Sequence, residues 1–147
     1  MQSMVAKERN EKEMDIERVI FSNGEHKEFY LKNIKRCRCE DCYHQALIYC
    51  LGISADTRRA INSIYNFESG LINPDCLRDG WITSGSGRVV RLAFNLYTNG
   101  MPTLDEYQKV DEKINETRKY TVEDIFCCAY ARYFWEAVKI RYPEYSY

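Results

Sequence analysis

Apolar positions along the chain recur with a period near 3.6 in almost every readable segment, which predicts helices. Phe29, Tyr30 and Ile34 mark the buried side of a first helix. It opens at Ser22-Asn23-Gly24-Glu25, where Ser22 or Asn23 supplies the cap and Glu25 and Glu28 suit the positive end. Cys37 to Glu40 interrupts the pattern. Behind Asp41, as cap, Tyr43, Ala46, Leu47, Tyr49, Cys50 and Leu51 resume it, and Gly52 is expected to end that helix in the left-handed conformation. Ser54-Ala55-Asp56-Thr57 opens a third helix with Ile61, Ile64 and Tyr65 facing inward. Arg58 and Arg59 fall in its first turn, the unfavourable end for cations, which implies pairing with carboxylates.

Asn66 to Asn73 reads as a loop containing Gly70. Asn73 as cap and Pro74 at the first position start a short helix that ends near Gly80. Gly80 to Gly87 is a polar, glycine-containing loop, and the helix after it is apolar on most of its circumference as far as Tyr97. Only Arg88, Arg91 and Asn95 interrupt it, in one stripe, so this short apolar helix is expected at the centre. Thr98 to Pro102 stops it. Thr103-Leu104-Asp105-Glu106 has the capping-box pattern of a solvent-facing helix or ordered insertion. Thr121 caps a last helix, apolar from Val122 through Phe126, Phe134 and Val138 to Ile140, which Pro143 ends. The expected fold is therefore all-α, a compact bundle of five or six helices. Residues 1–13, rich in Lys, Glu, Arg and Asn, read as a flexible extension, and 14–147 as a single helical domain.

Composition narrows function by exclusion. A chain of 147 residues with 45% hydrophobic and 29% charged residues has enough apolar content for a core of its own. A net charge of -1 gives no overall attraction to nucleic acid or membrane. No stretch approaches the roughly 18 apolar residues of a membrane span. The N-terminus is mixed in sign, unlike a signal peptide, so the expected compartment is the cytoplasm. Twelve tyrosines outnumber phenylalanine and tryptophan together, a composition that suits core boundaries and contact surfaces. Seven cysteines are expected as thiols in a reducing compartment.

Three groups of residues carry candidate chemistry. Cys37, Cys39, Cys42 and His44 include a C-x-x-C spacing suited to zinc, although four ligands within eight residues is tight and no second C-x-x-C exists. No cofactor is expected, with zinc at these four residues as the alternative to plain thiols. Gly80 and Gly85 have P-loop spacing, but Ser86-Gly87 follows where Lys-Ser/Thr is required, and no strand precedes. What remains is an anion or phosphorylated small molecule held by Thr83, Ser84, Ser86, Arg88, Arg91 and Arg58. Against it stands the plainer reading that Ser84 or Ser86 caps the helix and the arginines pair with carboxylates. A contact surface would draw on Trp81, Tyr97, Trp135, Tyr142 and Tyr145. No catalytic constellation is legible: there is no G-x-S-x-G elbow, and no thiol has an evident base beside it. Arg132, Lys139, Arg141 and Tyr142 could form a basic patch for nucleic acid, but Glu136 and Glu144 dilute it.

Several segments together resemble a bacterial family classed as a domain of unknown function. They are Leu51-Gly52-Ile53 with Asp56-Thr57-Arg58, Gly80 to Ser86, Arg91 to Leu96, and above all Asp124 to Cys128 with Tyr133 to Ala137 and Ile140 to Tyr145. The resemblance implies a small cytoplasmic protein of anaerobic Gram-positive bacteria, carried on prophages or conjugative elements. It supplies no activity. Its members begin near the equivalent of Met14, and their segment matching Cys37 to Cys42 is not cysteine-rich. Together these features make a protein-binding regulator of a mobile element, with antagonism of a host defence system as one role, the leading expectation. A nucleotide- or phosphate-binding protein or enzyme, and a nucleic-acid binder, are the alternatives.

Overall fold

The computed structural model describes residues 14–145; the expected extension at 1–13 lies outside them. Eight α-helices form among the described residues: α1 Gly24–Ile34, α2 Cys42–Leu51, α3 Ala55–Arg59, α4 Ile61–Ile64, α5 Ser84–Thr98, α6 Val110–Arg118, α7 Val122–Phe126 and α8 Ala131–Arg141. None is long and apolar enough to cross a membrane. A hairpin of two residues per strand, Tyr65–Asn66 against Leu71–Ile72, is the β-structure among them. Gly70 turns that hairpin at a φ of 72°, while the Asn66 side chain accepts from the backbone N–H groups of Glu68 and Ser69.

The fold is mostly helical and compact, and its apolar centre is shared by two helices. In α2, Ala46 to Leu51 have no exposed surface. This helix packs against α1, α5 and α8. On α5, Val89, Val90, Ala93 and Phe94 are equally buried, while Arg88, Arg91 and Asn95 keep to the partly open side, as the stripe in the sequence requires. Phe134, Ala137 and Ile140 bring α8 onto the other side of α2. A helix buried on several sides needs an apolar surface nearly all round, and α2 has one.

Local signals set most helix starts. Asn23, Asp41, Ser54 and Thr121 each accept from a backbone N–H three residues on. The cap of α5 is Thr83 rather than Ser84 or Ser86. Ser86 completes a capping box, its hydroxyl accepting from the Thr83 N–H at 2.7 Å. Asn99 ends α5 at φ 60°, the left-handed cap that a sequence places at glycine or asparagine.

The differences from expectation have physical causes. The third helix breaks at Ala60 into α3 and α4, so Arg58 and Arg59 stand in the last turn of a short helix, the favourable end. Asn73 makes no side-chain cap; its amide donates to the Ser63 carbonyl, and Pro74–Arg78 is a 3-10 turn. Thr103 starts no helix, because its hydroxyl is engaged with Glu116 and Tyr120, and α6 begins only at Val110. The last helix is interrupted between Phe126 and Ala131, which folds the Phe126 ring back against Phe134 and Trp135.

Gly52 is a glycine for a different reason from the one expected. Its φ of -82° is open to any residue. A Cβ there would lie 2.6 Å from the His26 ring and 2.8 Å from the Phe29 ring. The end of α2 and the face of α1 are pressed together at this point. Gly52→Ala is therefore expected to destabilise by about 2 kcal/mol through overpacking. Urea unfolding should show a lower midpoint with an unchanged m-value; an unshifted midpoint would mean that the two helices separate freely.

Candidate functional site

The sequence directs a ligand to the start of α5 and the loop before it. Thr83, Ser84 and Ser86 do come together there, but Thr83 and Ser86 use their hydroxyls on each other and on the helix backbone. Arg88 donates to the Asp124 and Ser84 carbonyls, with the Asp124 carboxylate 3.9 Å away. Arg58 donates to the Gly52 carbonyl and pairs with Glu25 at 3.2 Å, and Arg59 pairs with Asp56.

Arg91 makes the bidentate pair among these. Its Nε and Nη2 donate to the two carboxylate oxygens of Glu116 at 2.6 and 3.1 Å. Such fork-on-fork pairing is strong and directional. The Thr103 hydroxyl donates to Glu116 as well, at 2.7 Å, and lies 2.6 Å from the Tyr120 hydroxyl. Burial works to raise the Glu116 carboxyl pKa, but the bonds from Arg91 and Thr103 outweigh it and hold the group below the usual carboxylate range. This pair forms one wall of a cleft of about 710 Å³ between the Pro74–Arg78 turn, the segment from Pro102 to Gln108, and α6. Its lining mixes signs: Asp75, Asp105 and Glu106 face Arg78 and Lys119. An anion entering here has to compete with carboxylates already in place.

The cysteine corner gathers some of its expected members and disperses the rest. Cys39 and His44 meet, and Asp41 joins them: Cys39 Sγ is 3.5 Å from His44 Nδ1 and 3.2 Å from Asp41 Oδ2. Cys37 turns to the Asn33 carbonyl, and burial pushes its thiol up to about 12. Cys42, the first residue of α2, faces Arg141. Asp41 was legible as a helix cap but not as a partner of Cys39.

The expected contact residues divide. Tyr97 is half-buried, with its hydroxyl between the Gly70 carbonyl, Tyr65 and His44. Trp81 is half-buried and donates to Asp79. Trp135, Tyr142 and Tyr145 stay in solvent, with Trp135 59% exposed. Trp135 projects from α8, and Tyr142 lies just past its last residue, where the backbone has left the helix at φ -123° and ψ 64°. Phe126, brought back by the break between α7 and α8, supports the Trp135 ring at 5.3 Å. Phe126 was missed because its place depends on that break.

These features define a compact, mostly helical protein whose candidate anion-binding arginines pair with carboxylates and whose surface exposes Trp135 and Tyr142. The chain belongs to DUF6075, a family of unknown function whose model matches residues 16–147. No curated protein and no solved structure matches it.

Proposed function

We propose that the protein is an interaction module that binds another protein through the exposed aromatic surface at Trp135 of α8 and Tyr142 just beyond it. One observation carries this reading: Trp135 is a large apolar side chain held in solvent on a fixed support, Phe126, with Tyr142 exposed just beyond the end of the same helix. A tryptophan ordered before binding loses little entropy on contact, and such residues dominate binding energy at interfaces. Tyr107, Val110 and Ile114 are exposed too, but α6 has no buried residue and gives them no comparable anchor. The resemblance motivates the rest of the proposal: a cytoplasmic regulatory protein of a mobile genetic element whose partner belongs to a host defence system. A phosphorylated ligand at Thr83–Arg91 has less support, because carboxylates already attend Arg58, Arg88 and Arg91.

The test is affinity capture from a host lysate, followed by titration of the purified partner. Trp135→Ala should weaken binding at least about 30-fold, the size of an interface hot spot, with thermal stability nearly unchanged. An Arg88→Ala/Arg91→Ala variant of checked stability should bind as wild type does. Undiminished binding by Trp135→Ala would remove this surface from the proposal. Loss of a small phosphorylated ligand in the arginine variant would move the function to the glycine loop.

A further inference from the structure

We infer that Cys39, Asp41 and His44 form a three-ligand site for a thiophilic divalent cation of the zinc class. The thiol, one carboxylate oxygen and the imidazole Nδ1 all lie within 4.8 Å of one another at the open mouth of the segment before α2. Thiolate, imidazole and carboxylate are zinc's ordinary ligands, and three of them leave the fourth position to water. The 3.5 Å between Sγ and Nδ1 matches the edge of about 3.5 Å expected of a tetrahedron with Zn–S near 2.3 Å and Zn–N near 2.0 Å.

The hydrogen positions strengthen the case. Tyr97 donates its one hydroxyl proton to the Gly70 carbonyl at 2.7 Å, since a carbonyl can only accept. Tyr65 then donates to the Tyr97 oxygen at 3.1 Å. The remaining contact of that oxygen, 3.4 Å from His44 Nε2, is long and suits a ring proton on Nε2. In a neutral ring this leaves a lone pair on Nδ1, which faces an Asp41 oxygen at 2.6 Å. Two lone pairs do not approach so closely, so a hydrogen or a cation lies between these atoms. It is either the hydrogen of the ring's other tautomer, on Nδ1, or a cation held jointly with Cys39. The outward bond from Nε2 to a fixed oxygen is the arrangement that orients metal-binding histidines.

The same geometry argues against a nucleophilic relay. There the base takes the thiol proton on one ring nitrogen and is oriented through the other. Here thiol and carboxylate address the same nitrogen. Entry of a metal requires the Nδ1–Oδ1 contact to open to about 3.4 Å, the corresponding tetrahedral edge. The Asp41 side chain, 46% exposed, has room to swing.

The test uses the full chain, reduced and free of any histidine tag. Calorimetry with Zn²⁺ and absorption with Co²⁺ read stoichiometry and thiolate coordination. Wild type should bind one equivalent with a thiolate-to-cobalt band. Cys39→Ser and His44→Gln should each weaken binding at least about tenfold, as should Asp41→Asn, in which asparagine preserves the helix cap. Tyr97→Phe should weaken it about tenfold through the ring orientation alone. Cys127→Ser, at another exposed thiol, should leave it unchanged. Circular dichroism of the metal-free variants should match wild type. Absence of saturable binding overturns the inference and assigns the contact at Nδ1 to a hydrogen bond from the ring to Asp41. Binding that persists unweakened in Cys39→Ser or in His44→Gln overturns it as well.

Discussion

Arg141→Ala is expected to destabilise the protein by about 4 kcal/mol, more than any other substitution considered. Arg141 is a buried guanidinium, 7% exposed, and among the described residues no carboxylate stands within ion-pair distance of it. Helix ends and ring faces hold its charge instead. The last carbonyls of α5 have no partner within the helix, and the negative end of its dipole lies there. Arg141 Nε donates to the Leu96 carbonyl at 2.9 Å, and Nη2 donates to the side chain of Asn99, the left-handed cap, at 3.0 Å. The guanidinium carbon sits 3.6 Å from the Tyr43 ring centre and 4.6 Å from that of Tyr142. One side chain thus ties the end of α8 to the end of α5 and the start of α2. Hydrogen bonds from a charged donor contribute about 1.5–3 kcal/mol each, and a desolvated cation–π contact about 2 kcal/mol; these are not additive. Arg141→Lys keeps the charge and loses the fork and the planar stacking, so it should still cost about 2 kcal/mol. Urea unfolding measures both. A lysine variant as stable as wild type would show that only charge at the helix end matters there.

Sequence order made the caps legible and left the pairings obscure. Asp41 and Thr121 could be assigned, and the first cap narrowed to Ser22 or Asn23, because a cap acts on N–H groups two or three residues away. The stripe of Arg88, Arg91 and Asn95 was legible because a helix has one period. Glu116 as the partner of Arg91, and Leu96 as the acceptor for Arg141, were not. Both contacts join segments far apart in the chain, and nothing local prefers one carboxylate or carbonyl over another. Thr103 shows the same competition. Its capping-box pattern was sound, and a tertiary contact with Glu116 won. The cysteine corner is an intermediate case. Spacing drew attention to Cys37, Cys39, Cys42 and His44, but side-chain direction decides which of them meet. Cys37 follows the end of α1 and Cys42 lies inside α2, so both turn away. The acidic cap between them supplies the third group.

Lowering the pH from 7 to 4 is expected to remove about 3 kcal/mol of stability through His26 alone. This side chain has no exposed surface, and packing surrounds it with Phe21 and Tyr49 at ring-centre distances of 5.0 and 4.6 Å. Both ring nitrogens are in use. Nδ1 accepts from the Ser22 N–H at 3.0 Å, so Nε2 carries the hydrogen that it donates to the Tyr49 carbonyl at 2.7 Å. A second proton on Nδ1 would face a donor and lose that bond. Burial holds the imidazole down at about 4 against the pull of the Tyr49 carbonyl, and the positive charge of Arg58 adds to the depression. An unfolded histidine titrates near 6.5. Between these values the unfolded chain binds a proton that the folded chain refuses, so acid favours unfolding. The contribution is therefore whole above about pH 6.5, declines as pH falls, and is gone below about 4. Carboxylates held low, such as Glu116, add their own loss only further down, below about 4.3. The chain has two histidines, so imidazole resonances can be followed individually by NMR, with His44 as the second probe. Stability of His26→Gln between pH 7 and 4.5 should fall less steeply than that of wild type, although the variant starts lower at pH 7. A His26 resonance that titrates near 6.5, or an unchanged slope in His26→Gln, would show that water reaches the ring and that the contact between α1 and α2 at Gly52 is looser than its geometry implies.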